Sequence, residues 1–127
     1  MPGLCDRFTV PRGGSGYVSR RMTDSIVIAP TGELDVAAAR DLRPELNEAA
    51  GQVDAPVVVD LTGVTFIDST ALGAIVQADG RLRRNGRRLC VVAPPGSAAA
   101  VVIELTNLDR HLEIHRSRDA ALSAATA

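Results

Sequence analysis

The sequence predicts an α/β fold, with a mixed, mostly parallel sheet of about five strands and four helices. Short apolar runs alternate along the chain with segments whose apolar residues recur at helical spacing. Strands that alternate with helices need crossover connections, and such connections make neighbouring strands parallel. The run "PVVVDL" at residues 56–61 has no polar interruption before its aspartate, which is typical of a central strand covered on both faces.

The N-terminal segment of the chain shows no periodic spacing of apolar residues. Residues 1–16 are rich in glycine and proline, so we predict a flexible tail followed by a single domain over residues 17–127. The runs "YVSRRM" and "SIVIAP" are β-prone and two residues apart, which predicts a hairpin. A helix follows, with Asp35 as its N-cap. Pro44 lies in its pattern and must sit in the first turns or bend the helix.

Beyond the central strand, helices and strands alternate to the end of the chain. Serine is a good N-cap, and an Asn-Gly pair is a common helix end. The predicted elements are a helix from near Ser69 to the pair Asn85-Gly86, the strand "RLCVVA", a helix capped by Ser97, the strand "HLEIH" and a last helix "RDAALSAATA".

Composition excludes several classes of function. The net charge of -1 creates no field that would attract nucleic acid or anionic membranes. No apolar run approaches the ~20 residues of a membrane span, and residues 1–20 lack the apolar core of a signal peptide. We therefore expect a cytoplasmic protein without a membrane partner. All fourteen basic residues are arginine, so a P-loop or a pyridoxal Schiff base is impossible, and we expect no cofactor.

The cysteines and histidines predict neither a disulfide nor a metal site. Cys5 falls in the predicted tail and Cys90 in a predicted buried strand, and disulfides are rare in the cytosol. His111 and His115 are four residues apart and would share one face of a strand. Without a third ligand in view, two surface imidazoles are favoured over a zinc site.

Five arginines lie in "RLRRNGRR", between positions 81 and 88. Such a run can form a patch for nucleic acid or anionic lipid. It also suits a helix C-terminus, where cations are stabilised by the helix dipole, followed by a solvated turn. The chain has no aromatic residues interleaved with these arginines for base stacking, so we favour the second interpretation and expect no direct contact with nucleic acid.

Polar residues follow two predicted core strands, in the segments "PTGELD" and "TFIDST". Ligands and partners of such sheets meet the loops at the carboxyl ends of the strands, so we expect these two segments to lie side by side. Helix capping alone would account for one of the residues Asp68, Ser69 and Thr70. Three polar residues in succession are more than capping needs.

Two enzymatic interpretations fit the sequence poorly. A hydrolase serine on a strand-to-helix turn usually lies in a G-x-S-x-G elbow, and Ser69 has no flanking glycine. Asp60 follows a strand as the phospho-accepting aspartate of a receiver domain does, but a receiver also needs a lysine, which the chain lacks. We therefore predict that the chain is not an enzyme and has no catalytic residue.

The segments "TGELDVAAARDL", "VVVDLTGVTFIDSTALGAI" and "RLCVVAPPG" resemble the STAS domain, and in particular the anti-sigma factor antagonists (anti-anti-sigma factors) of bacteria. The similarity covers about residues 17–127. The most specific motif is Asp68-Ser69-Thr70-Ala71-Leu72 after a strand. The resemblance implies the STAS fold, with four helices against one face of a mixed sheet.

The resemblance also implies a partner-switching function. In this family the unphosphorylated protein binds an anti-sigma factor that is also an ATP-dependent serine kinase, and so frees a sigma factor. Phosphorylation of the serine after the aspartate ends binding, and a metal-dependent serine phosphatase restores it. The match places the phosphate on Ser69. It places partner-binding residues at Gly32, Glu33, Asp35, Asp68, Ser69 and Thr70.

Two alternatives stay open at the level of sequence. A constitutive STAS subunit, of a lipid-transport ATPase complex or of a signalling scaffold, would use Ser69 only as a helix cap or a contact. An independent enzyme would turn over a metabolite. Incorporation of phosphate from ATP separates a phospho-switched protein from a constitutive subunit.

Overall fold

A computed structural model describes residues 16–22, 25–51 and 55–125. The segment up to residue 15, with Cys5 and most of the predicted tail, lies outside the described residues. The secondary structure comprises strands β1 Gly16–Met22, β2 Ser25–Leu34, β3 Val57–Asp60, β4 Val64–Ile67, β5 Leu89–Val92 and β6 Glu113–His115, and helices α1 Val36–Gly51, α2 Ser69–Arg84, α3 Ala98–Leu105 and α4 Arg118–Ala125, with a short 3-10 turn at Leu108–Arg110.

The strands form one mixed sheet, which confirms the predicted α/β class. Its order is β1-β2-β3-β5-β6, and β4 pairs with the far end of β2. β1 is antiparallel to β2, as the predicted hairpin requires. β2 to β6 are mutually parallel, and Val58 of β3 is aligned with Val27 on one side and Cys90 on the other. β3 is thus a central strand, as its apolar run predicts.

Within the described residues the sheet has six strands, one more than expected, because β4 was not predicted. Its four residues do not alternate between buried and exposed positions: Val64 and Ile67 are buried, whereas Thr65 and Phe66 are exposed. β2 correspondingly continues past "SIVIAP" to Leu34, which makes most of the "TGELD" segment strand. The "DST" motif therefore follows β4, which pairs directly with β2.

The helices cover both faces of the sheet, so the expectation of four helices on one face is wrong for α4. One core lies between the sheet and α1, α2 and α3, and contains Val57 and Val59. A smaller core on the opposite face contains Val58 and Cys90 against Ala121 of α4. Because successive strand side chains point to opposite faces, the apolar central strands would expose one face to water without α4.

Several local signals act as predicted. Asp35 caps α1 by accepting the Ala38 N–H at 2.9 Å, and Ser97 caps α3 through Ala100 at 3.2 Å. α2 ends at Arg84 and passes into Asn85 and Gly86, and Gly86 has a φ of 71°, which glycine adopts without strain. Pro44 is an exception: it lies inside α1 at an exposed position, beyond its first turns, so the first of the two predicted placements is wrong.

The arginine run divides between solvent and structure. Arg84 is exposed, and Arg83 pairs with Asp79 within α2 at 3.0 Å. Arg87 is half-buried, and its guanidinium donates to the carbonyls of Ala49, Ala50 and Ala55. It thereby satisfies carbonyls at the end of α1 and just before β3. The arginine run thus contains residues that pair within α2 or bond backbone carbonyls, as well as solvated ones. This supports the interpretation that the run stabilises the fold rather than binding nucleic acid or lipid.

Among the described residues, no helix is both long enough and apolar enough to cross a lipid bilayer.

Candidate partner-binding site

The two polar segments predicted to adjoin do lie side by side. β2 and β4 pair in parallel, with Glu33 aligned with Phe66 and Leu34 with Ile67. Immediately beyond this pairing, the Asp68 N–H donates to the Leu34 carbonyl at 3.0 Å. α1 begins after one strand and α2 after the other, so the N-termini of two helices share one edge of the sheet. We call the surface formed by residues 32–36 and 66–70 the switch surface.

Asp68 is the N-cap of α2. Its Oδ1 accepts the backbone N–H groups of Thr70 at 3.0 Å and Ala71 at 3.1 Å, and its backbone is extended, with φ -102° and ψ 176°. The sequence left open whether Ser69 itself caps the helix. The structure gives that role to Asp68, because a capping residue precedes the first helical residue, and Ser69 is that first residue.

Ser69 is exposed at the first position of α2. Within the described part of the chain, no hydrogen bond engages its hydroxyl. Its neighbour Thr70 is half-buried. Ser69 therefore offers a solvent-facing hydroxyl on a rigid helix start, and its modification need not break any contact that holds the fold together.

The β2 side of the switch surface is shaped by a bulge. The pairing register with β4 shifts between Gly32 and Glu33, and Gly32 has a φ of 80°, a conformation that disfavours any residue with a Cβ. The Gly32 N–H also donates to the Gly63 carbonyl at 3.0 Å. Glu33 and Asp35 are both exposed beyond this bulge. All six sequence-predicted partner-binding residues thus lie together at this edge.

Apolar side chains on and beside the switch surface were not predicted. Phe66 is 49% exposed and Val36 is 53% exposed, although both belong to regular elements. α3 packs beside β4 and exposes two more residues, Val101 and Leu105. A large apolar side chain next to the polar motif is the sequence signal for such a surface, and Phe66 is one of only two phenylalanines in the chain. Mixed apolar and polar exposure of this kind is typical of protein interfaces.

A second group of polar residues lies across the sheet edge, around Asp60. Its carboxylate accepts hydrogen bonds from the Thr62 N–H at 3.0 Å, from the Thr62 hydroxyl and from Arg118 Nε at 2.9 Å. Burial raises the pKa of Asp60, but these hydrogen bonds outweigh it and hold the pKa below its usual value. Asp60 thus joins the end of β3 to the start of α4, and its engaged oxygens argue further against a phospho-accepting role.

The third polar group surrounds Glu113 of β6. Arg88 bonds both carboxylate oxygens, Nε to Oε1 at 2.8 Å and Nη2 to Oε2 at 2.9 Å. His115 Nε2 lies 2.7 Å and Cys90 Sγ 3.4 Å from Oε2. Burial raises the pKa of Glu113, but the hydrogen bonds from Arg88, His115 and Cys90 lower it to about 2. His111 is exposed and precedes β6, so the two histidines do not form the strand pair that their spacing suggested.

We expect the hydrogen bonds of Glu113 to make the free energy of unfolding depend on pH in the acid range. Folding lowers the pKa of Glu113 from 4.5 to about 2. The stabilisation of the fold by ionised Glu113 is therefore present above pH ~4.5 and is lost as the pH falls toward ~2. Asp60 contributes with the same sign, and Asp79, whose pKa burial raises, with the opposite sign. Glu113→Gln should therefore be less stable near neutral pH but should lose less stability on acidification. Urea denaturation across this pH range measures both effects.

Glu104→Gln, at an exposed position of α3, is the matched control and should keep the wild-type profile. Parallel pH profiles for wild type and Glu113→Gln would show that Glu113 contributes no linked stability.

Comparison with known proteins supports this assignment of the fold. The family model of the STAS domain matches residues 17–121. A Mycobacterium tuberculosis protein named anti-sigma-F factor antagonist RsfA is 28% identical over 126 residues, which cover 97% of this chain and 98% of that protein.

Solved structures share the fold at lower sequence identity. An anti-sigma factor antagonist from Mycobacterium paratuberculosis superimposes with a TM-score of 0.82 at 24% identity, covering 90% of this chain and 96% of that one. The Bacillus cell fate determinant SpoIIAA in its phosphorylated form superimposes with a TM-score of 0.62 at 18% identity, covering 93% and 98% of the two chains.

Proposed function

Because the chain belongs to the STAS domain family, we propose that it is an anti-sigma factor antagonist regulated by phosphorylation of Ser69. Its unphosphorylated form binds an anti-sigma factor through the switch surface and thereby frees a sigma factor. The names of the mycobacterial relative and of the mycobacterial structure support this function. The observation that carries the proposal is an exposed, unengaged Ser69 at the start of α2, directly beside the Asp35 end of β2.

The switch surface has the composition that partner recognition needs. Its polar part is formed by the predicted residues Gly32, Glu33, Asp35, Asp68, Ser69 and Thr70. The exposed side chains of Phe66 and Val36 supply apolar area for the partner to bury. Apolar contact provides most of the affinity of such an interface, and the polar groups provide orientation and specificity. One continuous patch can thus bind the partner and present Ser69 to its kinase site.

Phosphorylation acts through charge at this patch. A phosphate adds roughly -1.5 to -2 charges at pH 7. The Thr70 and Ala71 N–H groups already bond Asp68, so those donors are not available to the phosphate. A phosphate on the exposed Ser69 therefore adds its charge to a surface that already carries the carboxylates of Asp68 and Asp35. The domain keeps its fold, and binding is lost through repulsion and desolvation at the interface.

The chemistry belongs to the partners. The anti-sigma factor is a serine kinase that binds ATP, transfers the γ-phosphoryl group to Ser69 and releases ADP, and a metal-dependent serine phosphatase removes the phosphate. The Ser69 Oγ is the nucleophile in the kinase reaction. The base that accepts its proton belongs to the kinase and not to this chain. The protein acts in the cytoplasm as a regulatory binding module rather than as an enzyme.

We expect a single phosphate on Ser69. Incubating the chain with ATP and the anti-sigma factor recovered by affinity capture from the native organism, followed by intact mass, measures the number of phosphates, and peptide mapping gives the position. Ser69→Ala should abolish labelling and keep the wild-type circular dichroism spectrum, whereas the control Thr70→Ala should still be labelled. A phosphate mapped to Thr70 or Ser97 would refute the site. No phosphate on any variant would favour a constitutive STAS subunit.

A further inference from the structure

Three potential metal ligands converge on the α4 face of the sheet. Cys90 Sγ, one Glu113 carboxylate oxygen and a His115 ring nitrogen all lie within 4.8 Å of one another. The alignment of β5 with β6 brings them together, because Cys90 is the partner of Glu113 and His115 follows two residues later on the same face. We propose that Cys90, Glu113 and His115 form a binding site for a zinc ion.

The donor set suits zinc. Thiolate, imidazole and carboxylate are the three ligand types that Zn²⁺ takes in proteins, and three protein ligands leave a fourth position for water. Hard cations such as Mg²⁺ and Ca²⁺ prefer oxygen ligands alone, so the sulfur disfavours them. Tetrahedral zinc holds its ligand atoms ~3.5 Å apart. Cys90 Sγ already lies 3.4 Å from Glu113 Oε2, His115 Nε2 would have to move outward from 2.7 Å, and all three donor atoms lie within 4.8 Å of one another.

The present hydrogen bonds mark where the ion would lie. Glu113 is ionised and can only accept, so Cys90 donates its S–H and His115 its Nε2–H to the same oxygen, Oε2. Zinc would take the place of these two bridging protons. The thiol proton would be released to solvent, and the Nε2 proton of His115 would pass through solvent to Nδ1, which leaves the Nε2 lone pair for the metal. Burial and the nearby Glu113 raise the pKa of Cys90 to about 12, so the thiol keeps its proton until a metal arrives.

Arg88 can remain in place as an outer partner. Its Nε bonds Oε1, the carboxylate oxygen that the metal does not need, and its Nη1 bonds the Ala124 carbonyl of α4. Only the contact of Nη2 with Oε2 must give way. Ligating carboxylates are commonly held by such second hydrogen bonds, which fix their orientation.

The ion can reach the site from solvent. Cys90 is fully buried, but the side chains of Glu113 and His115 are 28% and 19% exposed. Zinc would tie β5 to β6, a strand of three half-buried residues at the edge of the sheet. The site lies on the face opposite to α1, α2 and α3, so it does not depend on the proposed partner switch.

Cobalt provides the test, since Co²⁺ reports thiolate coordination by a charge-transfer band. The full chain with Cys5→Ala leaves Cys90 as its sole thiol and is titrated with Co²⁺ alone, then with Zn²⁺ as competitor. We expect one Co²⁺ per chain, displacement by Zn²⁺, and a rise in the melting temperature with Zn²⁺. His115→Gln should weaken binding at least ~tenfold, and the matched control His111→Gln should bind as the parent does.

Absence of a charge-transfer band at saturating Co²⁺ would overturn the site. So would equal Co²⁺ affinity in His115→Gln and the parent. His115 is partly exposed, so its variant should fold, and an unchanged circular dichroism spectrum without metal verifies that its lost affinity reflects the lost ligand.

Discussion

Ser69→Asp is expected to weaken binding of the anti-sigma factor by more than tenfold, which corresponds to more than ~1.4 kcal/mol. The added carboxylate stands at the exposed start of α2, beside Asp68 and close to Asp35, in the middle of the switch surface. It must be desolvated or repelled when the partner docks. Aspartate carries only part of the charge of a phosphate, so phosphorylated Ser69 should weaken binding further. Titration calorimetry measures both.

The control for Ser69→Asp is Ser117→Asp. Ser117 accepts the Ala120 N–H at the start of α4, so aspartate there adds the same charge at another helix start, where it can still cap, on the opposite face of the sheet. This variant should bind as wild type does. Higher salt should partly restore binding of Ser69→Asp, because exposed charges are screened beyond ~8–10 Å. Equal affinity of both aspartate variants would place the partner elsewhere.

Arg87→Ala is expected to destabilise the fold by about 3 kcal/mol. The guanidinium donates to the carbonyls of Ala49, Ala50 and Ala55, and a charged hydrogen bond contributes about 1.5–3 kcal/mol where its loss leaves a partner unsatisfied. Urea denaturation measures the change. Arg87→Lys should lose much of the same stability, because one ammonium cannot reproduce the planar fork of arginine.

The matched control is Arg84→Ala in the same arginine run. Arg84 is exposed, so its removal should change the free energy of unfolding by no more than ~0.5 kcal/mol. Equal stability of Arg87→Ala and Arg84→Ala would mean that the whole run is solvated, and that water replaces Arg87 on these carbonyls without loss.

The order of elements could be predicted because each depends on local periodicity and caps. Asp35, Ser97 and the Asn85-Gly86 pair mark helix ends by their own chemistry, whatever the rest of the chain does. β4 could not be predicted, because its four residues lack alternation and it exists through pairing with β2. Such pairing is a property of tertiary contact rather than of local sequence.

The position of α4 shows where a family resemblance and the residues disagreed. The run Val57-Val58-Val59 predicts a strand covered on both faces, whereas the resemblance implied helices on one face only. The structure agrees with the residues, since Val58 packs against α4 and its two neighbours pack on the other core. In this case the apolar pattern of the strand was the better guide.

The candidate site was predictable in part. The "DST" motif and the "GELD" segment were expected to lie side by side because both end parallel strands, and the pairing of β2 with β4 does bring them together. The exposure of Phe66 and Val36 was not predictable, since apolar residues in regular elements are usually buried. The convergence of Cys90, Glu113 and His115 was also hidden, because it depends on the register between β5 and β6.

Sigma factor release tests the central claim most directly. The anti-sigma factor is captured from the native organism with Ser69→Ala as bait and is reconstituted with its sigma factor. The unphosphorylated chain is then added, and the free sigma factor is measured. We predict that the unphosphorylated chain releases the sigma factor and that the chain phosphorylated on Ser69 leaves the complex intact. Equal release by both forms, or release by neither, would contradict the account.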